Sequence, residues 1–242
     1  MKFLISLPKN SKNTIDYTII ESETFGFHIT LCISKIFFAK TEELSKIFSD
    51  DEFKKFNSFG SEKRKSHFLL GRFSAKKALL SRMNKKSANL QSVLINNLSM
   101  HDINICVGIF GQPIFENPIN NLDLSISHSG SYGGAIVFER KFPCGFDLQQ
   151  LDESKRVVLQ KYISRDELNS EFLPDLTAAW SLKESLSKAL RCGLTVSPDL
   201  LAIKNFQQNN SEFFCEFRNF TQFLGYAQLI DDTIISLVFP KQ

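Results

Sequence analysis

Leu176, Ala179, Trp180, Leu182, Leu186 and Leu190 recur at helical spacing, and at about 100° per residue they fall on one broad arc. The window opens after Pro174-Asp175 and closes at Gly193. The pattern therefore predicts a long helix over residues 175–191. Thr177, Ser181, Glu184 and Lys188 form a polar stripe beside the arc. Lys183 falls inside it, between Trp180 and Leu190, where an ammonium must either snorkel out or meet an anion. A second amphipathic helix is predicted over residues 61–83, capped by Ser61, with Phe68, Leu69, Phe73, Leu79 and Leu80 set against Arg64, Lys65, Arg72, Lys76 and Lys77. A third is predicted over residues 41–56, with Thr41 as cap and Glu42 and Glu43 in its first turn.

Shorter β-branched and aromatic runs predict strands over residues 14–20, 27–38, 102–110, 122–127, 132–139 and 145–151. Further strands are predicted over 201–206, 212–218, 223–229 and 233–239, with turn residues between them. Ser164 and Glu167 have capping-box spacing and predict the start of a short helix. This order of elements predicts an α+β fold of two similar lobes, each a small, mostly antiparallel sheet with one long helix. The boundary is placed near Pro143, giving lobes 1–143 and 144–242. The layout hints at duplication, although no sequence repeat is strong enough to establish it.

A chain of 242 residues with 43% hydrophobic residues can bury a substantial core. The net charge of +3 is too mild to imply a nucleic-acid partner, although residues 61–86 are locally basic. Five cysteines, an odd number without a C-x-x-C pair, predict reduced thiols in the cytoplasm rather than a disulfide framework or zinc site. The apolar start is interrupted by Pro8 and Lys9 before it reaches signal-peptide length, and no run reaches membrane-spanning length. A soluble cytoplasmic protein without a membrane partner is expected.

Candidate chemistry sits in several short stretches. Asp147 and Gln149 are two apart on a predicted strand, so both side chains emerge on one face. A strand carboxylate and a helix carboxylate can share a hard cation, and Mg²⁺ asks for one or two carboxylates plus substrate phosphates. Ser127-His128-Ser129-Gly130 offers a hydroxyl, an imidazole and turn amides suited to a phosphate. Glu184 and Lys188, taken alone, read as an ordinary i,i+4 ion pair. There is no phosphate-binding Walker loop, dinucleotide glycine motif, zinc H-E-x-x-H or G-x-S-x-G elbow. His28, His67 and His101 have no ligand spacing.

Taken in order, Gly71-Arg72-x-x-x-Lys76, Gly111-Gln112-Pro113, Ile126-Ser127-His128-Ser129-Gly130, Gly145-Phe146-Asp147 and Trp180-Ser181-x-Lys183-Glu184-Ser185-x-x-Lys188 form a series. It resembles the motif series of the phosphopantetheinyl transferases, in particular the two-lobed surfactin-synthetase-activating type. The resemblance implies a pseudo-twofold monomer that holds coenzyme A in the cleft between its lobes. The implied reaction moves phosphopantetheine from coenzyme A to a serine of an acyl, peptidyl or polyketide carrier protein and releases 3',5'-ADP. It also implies Asp147 and Glu184 as ligands of Mg²⁺, with Mn²⁺ as the alternative, and Glu184 as the base that activates the serine. Asp147, Glu184 and Lys188 form the implied catalytic set. Lys183 and Lys188 are implied as phosphate contacts, and Arg72, Lys76, Ser127 and His128 as ligands of the 3'-phosphate and pyrophosphate, with Arg64 as a further candidate. Gln149 and Gln112 depart from the pattern, which often carries a glutamate and a lysine at those positions. Two other readings stay open: a non-catalytic coenzyme A binder, and a nucleic-acid-binding module using the basic helix.

Overall fold

The computed structural model describes residues 5–8, 15–24, 27–36, 41–86, 98–116, 119 and 121–241. It has two compact units, Met1–Arg140 and Lys141–Gln242. Each is an antiparallel sheet carrying one long helix, the α+β plan that the hydrophobic patterning predicts.

In the first unit, strands β1 (Ile15–Thr24) and β2 (Phe27–Ile36) form a hairpin. Helices α1 (Thr41–Ile47), α2 (Asp50–Asn57) and α3 (Glu62–Lys86) follow. A small hairpin of β3 (Ile105–Val107) and β4 (Pro113–Phe115) comes next, then β5 (Leu122–Ser129) and β6 (Tyr132–Glu139). The sheet order is β1-β2-β6-β5. Helix α3 buries Ala75, Ala78, Leu79 and Met83 against Leu124 and Val137 of the sheet. It lies close: a Cβ on Gly71 would stand 2.8 Å from the Ile126 side chain.

The helix expected over residues 41–56 is two helices. Ser49, extended at φ −66° and ψ 165°, ends the first and caps the second in a reciprocal capping box with Glu52. Leu44, Ile47, Phe48, Phe53 and Phe56 all pack into one cluster, so the apolar spacing runs through the break and conceals it.

The second unit opens with β7 (Gly145–Gln150). Helices α4 (Arg156–Tyr162) and α5 (Leu173–Ala189) come next, then β8 (Ile203–Asn209), β9 (Glu212–Phe217), β10 (Phe223–Ile230) and β11 (Thr233–Pro240). The order β7-β11-β10-β9-β8 places the first and last strands side by side. Pro174 stands at the start of α5, where its missing N–H costs nothing. Helix α4 escapes sequence detection because Val157, Val158 and Tyr162 face outward and blur its amphipathic pattern. Residues 164–167 form a turn, not the expected helix. The Glu167 carboxylate accepts from the Ser164 amide, as in a capping box, but the Ser164 hydroxyl donates to that carboxylate instead of accepting from the Glu167 amide, and the Glu167 side chain is also tied to distant groups, which holds the segment as a turn.

The five cysteines are free thiols, and burial pushes the Cys32 thiol up to about 12, far from reactivity. Among the described residues, no helix is long and apolar enough to cross a membrane.

The contact that sets the second unit is between α5 and β7. A Cβ on Gly145 would overlap the Ser185 carbonyl and crowd the Ala189 amide, both rigid helix backbone. Gly145→Ala should therefore force α5 away from β7 and destabilise the unit by about 3 kcal/mol. A urea melt checks this, and a loss below 1 kcal/mol would mean that the helix yields.

Candidate active site

Because Gly145 admits the α5 backbone, the strand residue two positions later meets the polar stripe of that helix. Asp147 is completely buried. Its Oδ2 accepts a hydrogen bond from Ser181 Oγ at 2.8 Å, and its Oδ1 pairs with Lys188 Nζ at 2.7 Å. Lys188 also donates to the Phe146 carbonyl at 3.0 Å. Beneath Asp147, the hydroxyls of Ser181, Ser185 and Ser236 interlock at 2.7–2.8 Å, with Ser236 directly opposite Asp147 on β11. The carboxylate is therefore held in place at both oxygens.

Glu184 lies one helical turn before Lys188. Burial, then the negative charge of Asp147, push its carboxyl up to about 7, against the opposing pull of Lys188. The Gln149 side chain donates to Glu184 Oε2 at a long 3.4 Å. Asp147, Gln149, Glu184 and Lys188 thus converge, as the same-face argument for the strand and the stripe argument for the helix require. Beside them is a cavity of about 250 Å³, lined by Gln149, Glu184, Thr177, Leu159, Tyr162 and Trp180. The Tyr162 and Trp180 rings stack there at 5.1 Å.

The strain on Glu184 is the observation that bears on a metal. Two carboxylates press together with only one ammonium to balance them. A divalent cation would relieve that repulsion. Asp147 and Glu184, with the side-chain oxygen of Gln149, are the hard donors that would hold it. Among the described residues no group of three His, Cys, Asp or Glu side chains gathers. Two carboxylates and an amide suit Mg²⁺, which completes its shell with water and substrate oxygens.

Lys183 does not belong to this group, which corrects the reading of it as a phosphate contact. It is fully buried, and its ammonium is 2.6 Å from Glu167 Oε1 and donates to the carbonyls of Tyr162 at 2.9 Å and Pro198 at 3.2 Å. The anion anticipated for a lysine on an apolar arc is the carboxylate of the protein's own Glu167.

The first unit holds a cationic cavity of about 570 Å³. Arg64, His67, Phe68, Gly71 and Arg72 line it from α3, and Ile126 and His128 from β5. The Arg64 guanidinium lies over Phe59 at 4.9 Å and that of Arg72 over Phe68 at 4.6 Å. His67 stacks on His128 at 4.1 Å, and His67 Nε2 is 3.3 Å from the Gly130 carbonyl. His67 has no motif to mark it, yet Arg64, His67, Phe68, Gly71 and Arg72 follow i, i+3, i+4 spacing. That stripe could have identified it from the sequence.

Two expected ligands lie elsewhere. Lys76 is fully buried, pairs with Glu52 and donates to the Ile47 carbonyl at 2.8 Å. Its burial, opposed by Glu52, pulls its pKa down. Ser127 alternates with Ile126 and His128 along β5, is buried, and faces away from the cavity that they line. Gln112 has a local duty: its side-chain oxygen accepts from the Phe110 amide at 3.0 Å and closes the β3–β4 turn.

Residues 143–238 match the family model described as the 4'-phosphopantetheinyl transferase superfamily. A holo-[acyl-carrier-protein] synthase of Staphylococcus carnosus is 33% identical over 96 residues, which are 40% of this chain and 76% of that protein. The synthase of the same name from Staphylococcus haemolyticus is 34% identical over 110 residues, 45% of this chain and 87% of the relative. That of Lactococcus lactis is 37% identical over 92 residues, 37% of this chain and 71% of the relative.

The repulsion at Glu184 has a measurable sign. Its folded pKa, about 7, lies above the ordinary carboxylate value, so the folded state binds the extra proton. The stability that this group contributes is therefore fully present below its unfolded pKa and is lost as pH rises through 7, by up to ~3 kcal/mol for a shift of this size. In urea melts with a chelator, stability from this group should drop between pH 5 and pH 8. Glu184→Gln should remove the drop, and Mg²⁺ at pH 8 should reverse it in the native chain. An equal drop in Glu184→Gln would assign the titration to another group.

Proposed function

Since the chain belongs to the 4'-phosphopantetheinyl transferase superfamily, we propose that it transfers 4'-phosphopantetheine from coenzyme A to a serine hydroxyl of a carrier protein and releases 3',5'-ADP. The observation that carries this reading is the meeting of Asp147, Glu184 and Lys188, with one carboxyl poised near neutrality. Mg²⁺, or Mn²⁺ in its place, supplies charge neutralisation of the pyrophosphate when bound by Asp147 and Glu184.

The residues perform the rest. Glu184, ionised at working pH, accepts the proton of the carrier serine. The serine oxygen forms a bond to the phosphorus that carries pantetheine, and the anhydride bond to the 3',5'-ADP phosphate breaks. Lys188, anchored by Asp147 and the Phe146 carbonyl, presents the positive charge that offsets the charge growing on the leaving oxygen. Asp147, locked by Ser181, keeps both helix residues in register. Arg64, Arg72 and His128 of the first unit serve the coenzyme's phosphates, in a cavity of ordinary ligand size. On this reading the active species is a cytoplasmic monomer.

The basic helix supports this reading over a nucleic-acid-binding module. Arg72, Lys76 and Arg82 of α3 are buried, and Arg82 donates to the His28 carbonyl at 2.7 Å. Fewer cations face outward than the sequence suggests, and a phosphate-backbone surface needs them outside.

Incubating the protein with coenzyme A, Mg²⁺ and an apo carrier protein should add the mass of phosphopantetheine to the carrier. Glu184→Gln and Asp147→Asn should each lower the rate by about a hundredfold or more while far-ultraviolet circular dichroism stays unchanged. Lys183→Met should instead lower the melting temperature, because it breaks an internal brace. Coenzyme A binding without transfer to any of several fatty-acid, polyketide and peptide-synthetase carriers would point to the non-catalytic alternative.

A further inference from the structure

The two buried lysines that leave the ligand set occupy matching positions in matching devices. In the first unit, Glu52 Oε2 accepts from the Ser49 amide at 3.1 Å and pairs with Lys76, while Oε1 accepts from the Ile105 amide at 3.2 Å. Lys76 in turn donates to the Ile47 carbonyl at 2.8 Å. In the second unit, Glu167 Oε2 accepts from the Ser164 amide at 3.1 Å and from Lys183 at 2.9 Å, while Oε1 accepts from the Ile203 amide at 2.8 Å. Lys183 in turn donates to the Tyr162 carbonyl at 2.9 Å. Ile47 stands two residues before Ser49, as Tyr162 does before Ser164. Each carboxylate ties the long helix to the segment before it and to the first strand after it.

Laying α3 on α5 with Lys76 on Lys183 puts Ser74 on Ser181. Ser74 bonds Ser34 at 2.7 Å, as Ser181 bonds Asp147. Ser34 is paired with Gly133, as Asp147 is with Ser236. The match makes each brace a control for the other. The difference that bears on the cavity is at one place: the counterpart of Arg72 is Ala179.

Arg72 is the extra member. Its Nε lies 3.1 Å from Glu52 Oε1, with the N–H turned off the line to that oxygen, and its Nη2 donates to the Ile105 carbonyl at 3.2 Å. The guanidinium face covers Phe68. Glu52 and Ile105 thereby fix, from the buried side, a cation whose remaining surface lines the 570 Å³ cavity.

We propose that Glu52 is a positioning residue for the phosphate-binding arginine Arg72, and that the matching carboxylate Glu167 is a structural brace without that role. This rests on the reading of the cavity as the coenzyme's phosphate site. Charge balance supports it. One buried carboxylate faces two cations in the first unit and one in the second, so the first cluster carries a spare positive charge suited to an anion.

Calorimetric titration with 3',5'-ADP and with coenzyme A, beside thermal melts, tests it. Arg72→Ala should weaken both ligands about tenfold. If it changes neither, the phosphate-site reading fails, and this inference with it. Glu52→Gln should weaken binding by a similar factor, and Glu52→Gln in the Arg72→Ala background should add less than about twofold, because the glutamate acts through the arginine. Glu167→Gln should lower the melting temperature comparably and leave 3',5'-ADP affinity within about twofold. Weakening by Arg72→Ala alone, additive losses in the double variant, or equal binding losses from both glutamine variants would overturn the positioning role and leave the site reading intact. If Glu52→Gln does not fold, Glu52→Gln with Lys76→Met removes the buried ion pair as a unit and frees Arg72. Native affinity in that variant would equally overturn the proposal, and a tenfold loss absent from Glu167→Gln with Lys183→Met would support it.

Discussion

The second unit depends on an absent side chain. The α5 backbone can rest on β7 only because position 145 has no Cβ, and that contact sets the distance between Asp147 and the helix. At larger separation, Ser181 and Lys188 would lose Asp147, and Glu184 would lose the neighbour that raises its pKa. Close packing of helix on strand is thus the condition for the electrostatics. A buried carboxylate is tolerated because a hydroxyl and an ammonium saturate its two oxygens.

The polar interiors follow the same logic. The serine cluster beneath Asp147 and the carboxylate–lysine braces are buried groups with their partners present, which make a packing arrangement unique where apolar contacts alone would let helices slide. Both units use the plan, and they diverge in what they hang on it. At the positions of Asp147, Glu184 and Lys188 the first unit has Ser34, Lys77 and Ser81. At the position of Arg72 the second unit has Ala179. One frame carries paired carboxylates and the other carries cations. The departure at Gln149 sits within this division: the amide lowers the negative charge of a site where two carboxylates already repel, and it reaches Glu184 directly.

Much of this was legible along the chain. Helical periodicity determined α3 and α5, and alternation with turn residues determined most strands, since both signals are local consequences of burying one face. The motif order named the chemistry, and spacing alone put Asp147 with Gln149 and Glu184 with Lys188. Pattern could not resolve the break between α1 and α2, where apolar spacing runs through, or α4, whose apolar residues face out. Nor could it decide which cations line a cavity and which are buried. Lys76, Lys183 and Arg72 look alike in sequence, because each is a basic residue on a long amphipathic helix and its letter does not say whether it is buried or open to a cavity. Only tertiary structure brings Glu52 and Glu167, from distant segments, to claim the first two as internal partners while leaving Arg72 at a cavity wall. The physical reason is that charge compensation acts through space, between groups whose separation along the chain carries no periodic signal.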